Sequence, residues 1–340
     1  MAWVRSAALL LAVLSSWPTP LDSLTPSFTC SGRNRAFMFL KPNAAFSPQA
    51  VALVDKKLRD AGIDIVSEGT LSASAIEEGK LIDVHYGSIA AKAMTIEPKD
   101  LIVSPEAAAK FHSAFGVDFR DAVVEGSVLN AKDACVRLGI TESELGKRWS
   151  ELVMGKNVVK FGGGFYCGAV AADLWVINGF YMAMRKFFVT DGAMIRWMCV
   201  EWAEEALSWK DFRALVVGAT NPEDAAHGSI RRALLDDWTA LGLDYAPSTK
   251  ENGVHASASP LEALRERLSW LHGAAPLEAL SRDPFGAELL ASGAAAADVE
   301  RWFADPPVKR GNAESAEGSL FDLLEDRDAT DTIAQLMRQR

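Results

Sequence analysis

One stretch constrains the fold of this chain more than any other: Asn252-Gly253-Val254-His255-Ala256-Ser257-Ala258-Ser259, followed at once by Pro260-Leu261-Glu262. A short extended run must end there, because Ser259 is a good N-cap, Pro260 suits the first helical position and Glu262 strengthens the start signal. Leu261, Leu264, Leu268 and Leu271 then recur at the spacing of one buried helical face. A strand running directly into a helix puts His255 just before a helix N-terminus. Free backbone N–H groups and the positive end of the helix dipole suit an anionic group carried on that imidazole.

Other elements can be read around it. Ala36 to Leu40 is a buried strand ended by Lys41-Pro42-Asn43. Ser47 and Pro48 open a helix whose Val51, Val54 and Leu58 share a face, and Gly62 stops it. Ile63 to Val66 reads as the next strand, and Ser74 with Glu77 as a capping box for a helix running toward His85-Tyr86. Ile195 to Trp202 reads as a strand and Glu204 to Val217 as a helix. Strands and helices in this order predict an α+β sandwich, helices over one sheet, and 49% hydrophobic residues supply its core.

Composition narrows the function classes. A net charge of −10 over 340 residues argues against a general nucleic-acid binder. Cys30, Cys135, Cys167 and Cys199 lie too far apart for a legible zinc site or disulfide framework. Gly162-Gly163-Gly164 lacks the GKS/T that a phosphate loop requires. Gly163 to Met184 is apolar, but Asp173 and Asn178 favour buried helices over a membrane span. Arg5 ahead of the apolar Ala7 to Leu14 run, then Ser15-Ser16-Trp17-Pro18, reads as a cleaved signal for secretory-pathway entry. The Ser/Thr/Pro-rich stretch to Arg35 is either a linker or a second address for a plastid-like organelle. Glu314 to Asp331 carries seven acids and a single arginine, and reads as a solvated tail.

Two motifs point further. Gly218-Ala219-Thr220-Asn221-Pro222-Glu223-Asp224 with Gly228-Ser229-Ile230-Arg231, and then the His255 segment, resemble the two signature stretches of nucleoside diphosphate kinases. Those read Gly-Glu-Thr-Asn-Pro-Ala-Asp, Gly-Thr-Ile-Arg and Asn-Ile-Ile-His-Gly-Ser-Asp-Ser. The resemblance implies a ferredoxin-like βαββαβ sandwich at 35–272, interrupted by a mostly helical insertion at about 87–192. A signal segment and linker (1–34) and a partly disordered, acidic C-terminal extension (273–340) flank it.

The resemblance also implies a phosphotransferase that passes the γ-phosphoryl group of a nucleoside triphosphate to a nucleoside diphosphate through a phosphohistidine on His255. Ser257 and Glu266 match the residues that orient the imidazole, Tyr86 the tyrosine beside it, and Lys41 the lysine that reaches the phosphates. Thr220 and Arg231 match phosphate-gripping residues, and Asn252 the asparagine that holds the sugar hydroxyl. Mg²⁺ is expected through the nucleotide phosphates, with no protein metal ligands. Partners implied are nucleoside di- and triphosphates, no nucleic acid, no stable membrane span, and a homo-oligomer unless the insertion blocks those contacts.

Departures are equally plain. Ala256 and Ala258 replace a glycine and an aspartate of the motif, and the arginine expected before Gly218 is displaced, Ala214 standing in register and Arg213 one step away. The family's base-stacking phenylalanine has only Phe180 or Tyr181 to answer for it. Two alternatives therefore stand beside the kinase: a catalytically weak or inactive nucleotide-binding or assembly protein, and a likeness of fold alone with function in the insertion.

Overall fold

A computed structural model describes residues 31–273, 277–309 and 317–340. The expected signal run and most of the linker lie outside the described residues. Four strands form the first sheet: β1 (Arg33–Leu40), β2 (Asp64–Ser72), β7 (Met194–Ala203) and β8 (Val254–Ala256). Their order is β2–β7–β1–β8, and every pairing is antiparallel. The structure is thus a mixed α+β protein. The sheet starts at Arg33 rather than at the boundary of 35 expected from the apolar run, because Asn34, fully buried, bonds through its side chain to Asp328 and to the Ala329 N–H.

Strand β1 is buried on both faces, as its unbroken apolar run demands. Ala36, Met38 and Leu40 pack with Val54 and Leu58 of the Pro48–Asp60 helix, and with Phe212, Ile230 and Leu234. Phe37 and Phe39 face the other way, toward Ile82, Phe188 and Trp270. Ser47 caps the Pro48–Asp60 helix and Ser259 the Pro260–His272 helix, as their sequences predict.

The segment between β2 and β7 carries a second sheet. Its strands are β3 (Val128–Asn130), β4 (Val158–Gly162), β5 (Phe165–Ala171) and β6 (Leu174–Ile177), in the order β3–β6–β5–β4. The Gly163 to Met184 run expected to be helical is therefore mainly a hairpin. Asp173, at φ +52°, turns β5 into β6, and the buried strands need no alternation of polar residues. The Tyr181–Val189 helix returns the chain, and its Tyr181 hydroxyl and Arg185 guanidinium both bond to Asp83 in the Leu81–Met94 helix. No helix among the described residues is long and apolar enough to cross a membrane.

Three local expectations are corrected. Ser72, not Ser74, caps a short Ala73–Glu78 helix, and Gly79-Lys80 breaks the chain before a second helix over Leu81–Met94, itself kinked at Gly87. The helix after β7 starts late, at Trp209, because Ser208 is its cap. The acidic C-terminal stretch is not a solvated tail where described. Leu320, Leu324, Ile333 and Leu336 are buried against Leu261, Leu264 and Leu268 of the Pro260–His272 helix. Its acids serve as bonding groups instead: Asp328 accepts the Trp209 N–H and Asp331 the Arg327 guanidinium.

Candidate active site

Strand β8 is three residues long, yet its place beside β1 fixes the centre of the site. His255 pairs with Phe39 in the ladder, and its ring stacks on that phenyl at 4.7 Å between centroids. Gly253, at φ +81°, makes the entry turn and accepts the Lys41 N–H; a Cβ there would meet Leu234 Cδ1 at 2.6 Å. Ala256 stands in the strand and is not among the residues with positive φ, so the glycine lost at this position costs no left-handed strain.

Glu266 projects back from the Pro260–His272 helix. Its Oε1 lies 2.8 Å from His255 Nε2, and its Oε2 accepts the Ser257 hydroxyl, which in turn accepts the Phe37 N–H at 3.1 Å. Burial raises the proton affinity of this carboxyl. The His255 charge and hydrogen bond, His85 and Ser257 more than offset that, and hold it below the ordinary glutamate range. A carboxylate on Nε2 places the imidazole proton there and leaves Nδ1 with its lone pair.

His85, which motif matching noted only as a neighbour of Tyr86, belongs to the same cluster. Its Nδ1 is 3.2 Å from Glu266 Oε1, and its ring lies edge-on to His255 at 4.6 Å. Burial, then the His255 charge, push it down to about 3, so it stays neutral. His85 touches the rings of Phe39, Tyr86 and Trp270, contacts made only by the tertiary fold, and no sequence signal singles it out.

A cavity of ≈ 760 Å³ opens over His255, lined also by Lys41, Tyr86, Arg213, Thr220, Arg231, Asn252 and Glu262. The expected residues are therefore brought together, Ser257 and Glu266 standing behind the imidazole. Burial, and then Arg231, lower Lys41 to about 8. Tyr86 is pushed up to about 12 by burial and by Glu266. Asn252 is buried; its amide donates to the Thr220 carbonyl, while its Oδ1 has no partner among the described residues. Such an atom is costly unless a ligand donor meets it.

Two guanidinium groups are engaged within the chain. Arg231 donates to the carbonyls of Gly218 and Val254, binding two loops of the site together. Arg213 meets Glu325 at 2.8 Å and Asp326 at 2.5 Å. Phe212–Val217 is a π-helical turn, closed by the Gly218 N–H on the Arg213 carbonyl, and such a turn accommodates one extra residue. Glu262 accepts the Ala258 N–H, and burial and Glu266 raise its carboxyl. Tyr181 is fully buried with its hydroxyl on Asp83, whereas Phe180 is half-buried.

No protein-family model matches the chain. Among solved structures it is similar to the nucleoside diphosphate kinase of Encephalitozoon cuniculi, at 15% identity and a TM-score of 0.33, over 71% of this chain and 91% of that one. It is also similar to an NDP kinase from Pyrobaculum aerophilum, at 19% identity and a TM-score of 0.30, over 70% and 95% of the two chains. Likeness at this level assigns no residue and no activity.

Proposed function

We propose that this chain is a phosphotransferase of the nucleoside diphosphate kinase type, with His255 as the nucleophile. The observation that carries the reading is the Glu266 carboxylate on His255 Nε2, with the imidazole facing a cavity lined by Lys41, Arg231 and Asn252. The sheet order β2–β7–β1–β8 fits the ferredoxin-like reading, since the helices following β1 and β7 pack on the same face.

In the first half-reaction Nδ1 attacks the γ-phosphorus of a nucleoside triphosphate. An N–P bond forms, the bond to the β,γ-bridging oxygen breaks, and the diphosphate leaves with the electron pair. Glu266 faces the positive charge that develops on the ring, and the Lys41 ammonium the charge that grows on the phosphates. In the second half a terminal oxygen of another nucleoside diphosphate attacks the same phosphorus, and the N–P bond breaks. Asn252 Oδ1 suits a sugar hydroxyl donor.

The nitrogen-rich set of His85, His255 and Glu266 does not suit Mg²⁺, which takes oxygen ligands. Mg²⁺ would instead ride on the nucleotide phosphates, where it would supply further positive charge beside Lys41. The direct test is incubation with γ-labelled ATP: acid-labile, base-stable label on the protein, absent in His255→Ala, which leaves as triphosphate when a diphosphate is added. Label on serine or threonine in that variant overturns the assignment.

One observation favours the second reading, a weakly active nucleotide-binding protein. Arg213 is held by carboxylates of the C-terminal segment, and Arg231 by backbone carbonyls, which leaves fewer donors for phosphate. The label experiment separates the two.

A further inference from the structure

A second cavity, ≈ 790 Å³, lies between the inserted segment and the loops that carry Lys41, Thr220 and Asn252. Lys41, Tyr86, Thr220 and Asn252 line it and also line the cavity over His255, so the two spaces meet along those side chains. Their characters differ. The His255 side presents lysine, arginine and imidazole, whereas the insertion contributes Trp149, Met154, Tyr166, Phe180, Met184 and Phe187, with Lys147 and two serines beside them.

The aromatic wall is built to hold its shape. Trp149 leans on Gly168 and Gly179, where a Cβ would meet the indole at 2.8 and 2.5 Å, so those positions admit no side chain. Phe180 stands between Trp149 and Tyr166, with ring centroids at 5.8 and 6.0 Å. Trp149, Tyr166 and Phe180 are each half-buried, and Met154 is 59% exposed on the rim. A rigid apolar wall left uncovered beside an anion-binding cavity fits a ligand with an anionic end and a flat apolar body. At the junction sits the unpartnered Asn252 Oδ1, positioned to accept from a hydroxyl between those two parts.

We infer that the inserted segment forms the base-binding half of the substrate cleft, and that Trp149 and Tyr166 seat the purine of a nucleoside di- or triphosphate. This inference rests on the nucleotide reading above and deepens it. Base stacking on an aromatic ring tolerates any base, but a purine offers the larger face, so enclosure by this wall makes base identity matter.

The test uses the full chain and calorimetric titration with ADP, CDP and inorganic pyrophosphate. Trp149→Ala should weaken ADP about tenfold or more, equivalent to about 1.4 kcal/mol, and leave pyrophosphate unchanged. Wild-type protein should prefer ADP to CDP, and the variant should lose that preference. Met154→Glu, on the exposed rim, should weaken ADP without disturbing the core, which covers the case of Trp149→Ala failing to fold. ADP affinity unchanged in both variants, or equal losses for ADP and pyrophosphate, overturns the inference. Phosphohistidine formation distinguishes the two claims. If the label forms while the variants bind ADP normally, the base site fails alone; if ADP binds as expected but no label forms, the transferase reading fails alone. No ADP binding by the wild type overturns both.

Discussion

His255 Nε2 and Glu266 Oε1 lie 2.8 Å apart, though eleven residues separate them in the chain. A cap at Ser259 sets where the helix begins, and its second turn then carries Glu266 back over the strand that holds His255. The contact fixes the imidazole tautomer and its orientation at once. Under the proposed mechanism, Glu266→Gln keeps the shape but removes the negative charge that would stabilise the forming imidazolium. Phosphoryl transfer should fall by about 10²-fold, with nucleotide affinity little changed, as measured by single-turnover labelling and ADP titration.

The buried histidine beside this pair should show in acid stability. His85 is lowered to about 3 in the folded protein from an ordinary 6.5, so the unfolded chain binds more protons between those values. Stability must therefore rise with pH across that window and fall as pH drops through it. Thermal unfolding followed from neutral to acid pH should show the loss, and His85→Gln should flatten it. An equally steep acid limb in that variant would sink the claim.

Lys41 sets the alkaline side. Its ammonium is lowered to about 8, so the positive charge is present below that value and lost above it. Nucleotide affinity should decline as pH rises through about 8, and Lys41→Arg should abolish that decline while still transferring slowly, because a planar fork does not replace a compact ammonium. Lys41→Ala should slow transfer by about 10²-fold. Titrations of ADP at stepped pH check the first point.

Arg213 is neutralised by Glu325 and Asp326 of the C-terminal segment. The double change Glu325→Gln with Asp326→Asn should release it toward the cavity and tighten ADP by about tenfold, roughly the strength of one charge-assisted contact. Unchanged affinity would mean that Arg213 serves only to hold the segment down.

Gly253→Ala tests the entry turn. Both the positive φ and the 2.6 Å approach to Leu234 oppose a methyl group, so the variant should lose about 1–3 kcal/mol of stability. Denaturant unfolding gives the number.

Local signals determined a good deal by themselves. The caps at Ser47 and Ser259, the apolar run of β1 and the order of strands and helices depend on residues a turn or less apart, and short-range physics decides them. The residues around His255 were legible by a different route, the resemblance to a known family, since two motifs carry most of them. Tertiary structure alone decided the rest. His85 entered the site because the Leu81–Met94 helix crosses the Pro260–His272 helix, and Arg213 reached the cavity through a π-helical turn that no spacing rule anticipates. The Gly163 to Met184 run and the acidic segment each admit two readings in sequence, because a short apolar run fits either helix or strand, and an acidic stretch either solvent or a folded partner. Which alternative wins is settled by surface contributed from elsewhere: β4 and β3 for the hairpin, the leucines of the Pro260–His272 helix for the C-terminal segment.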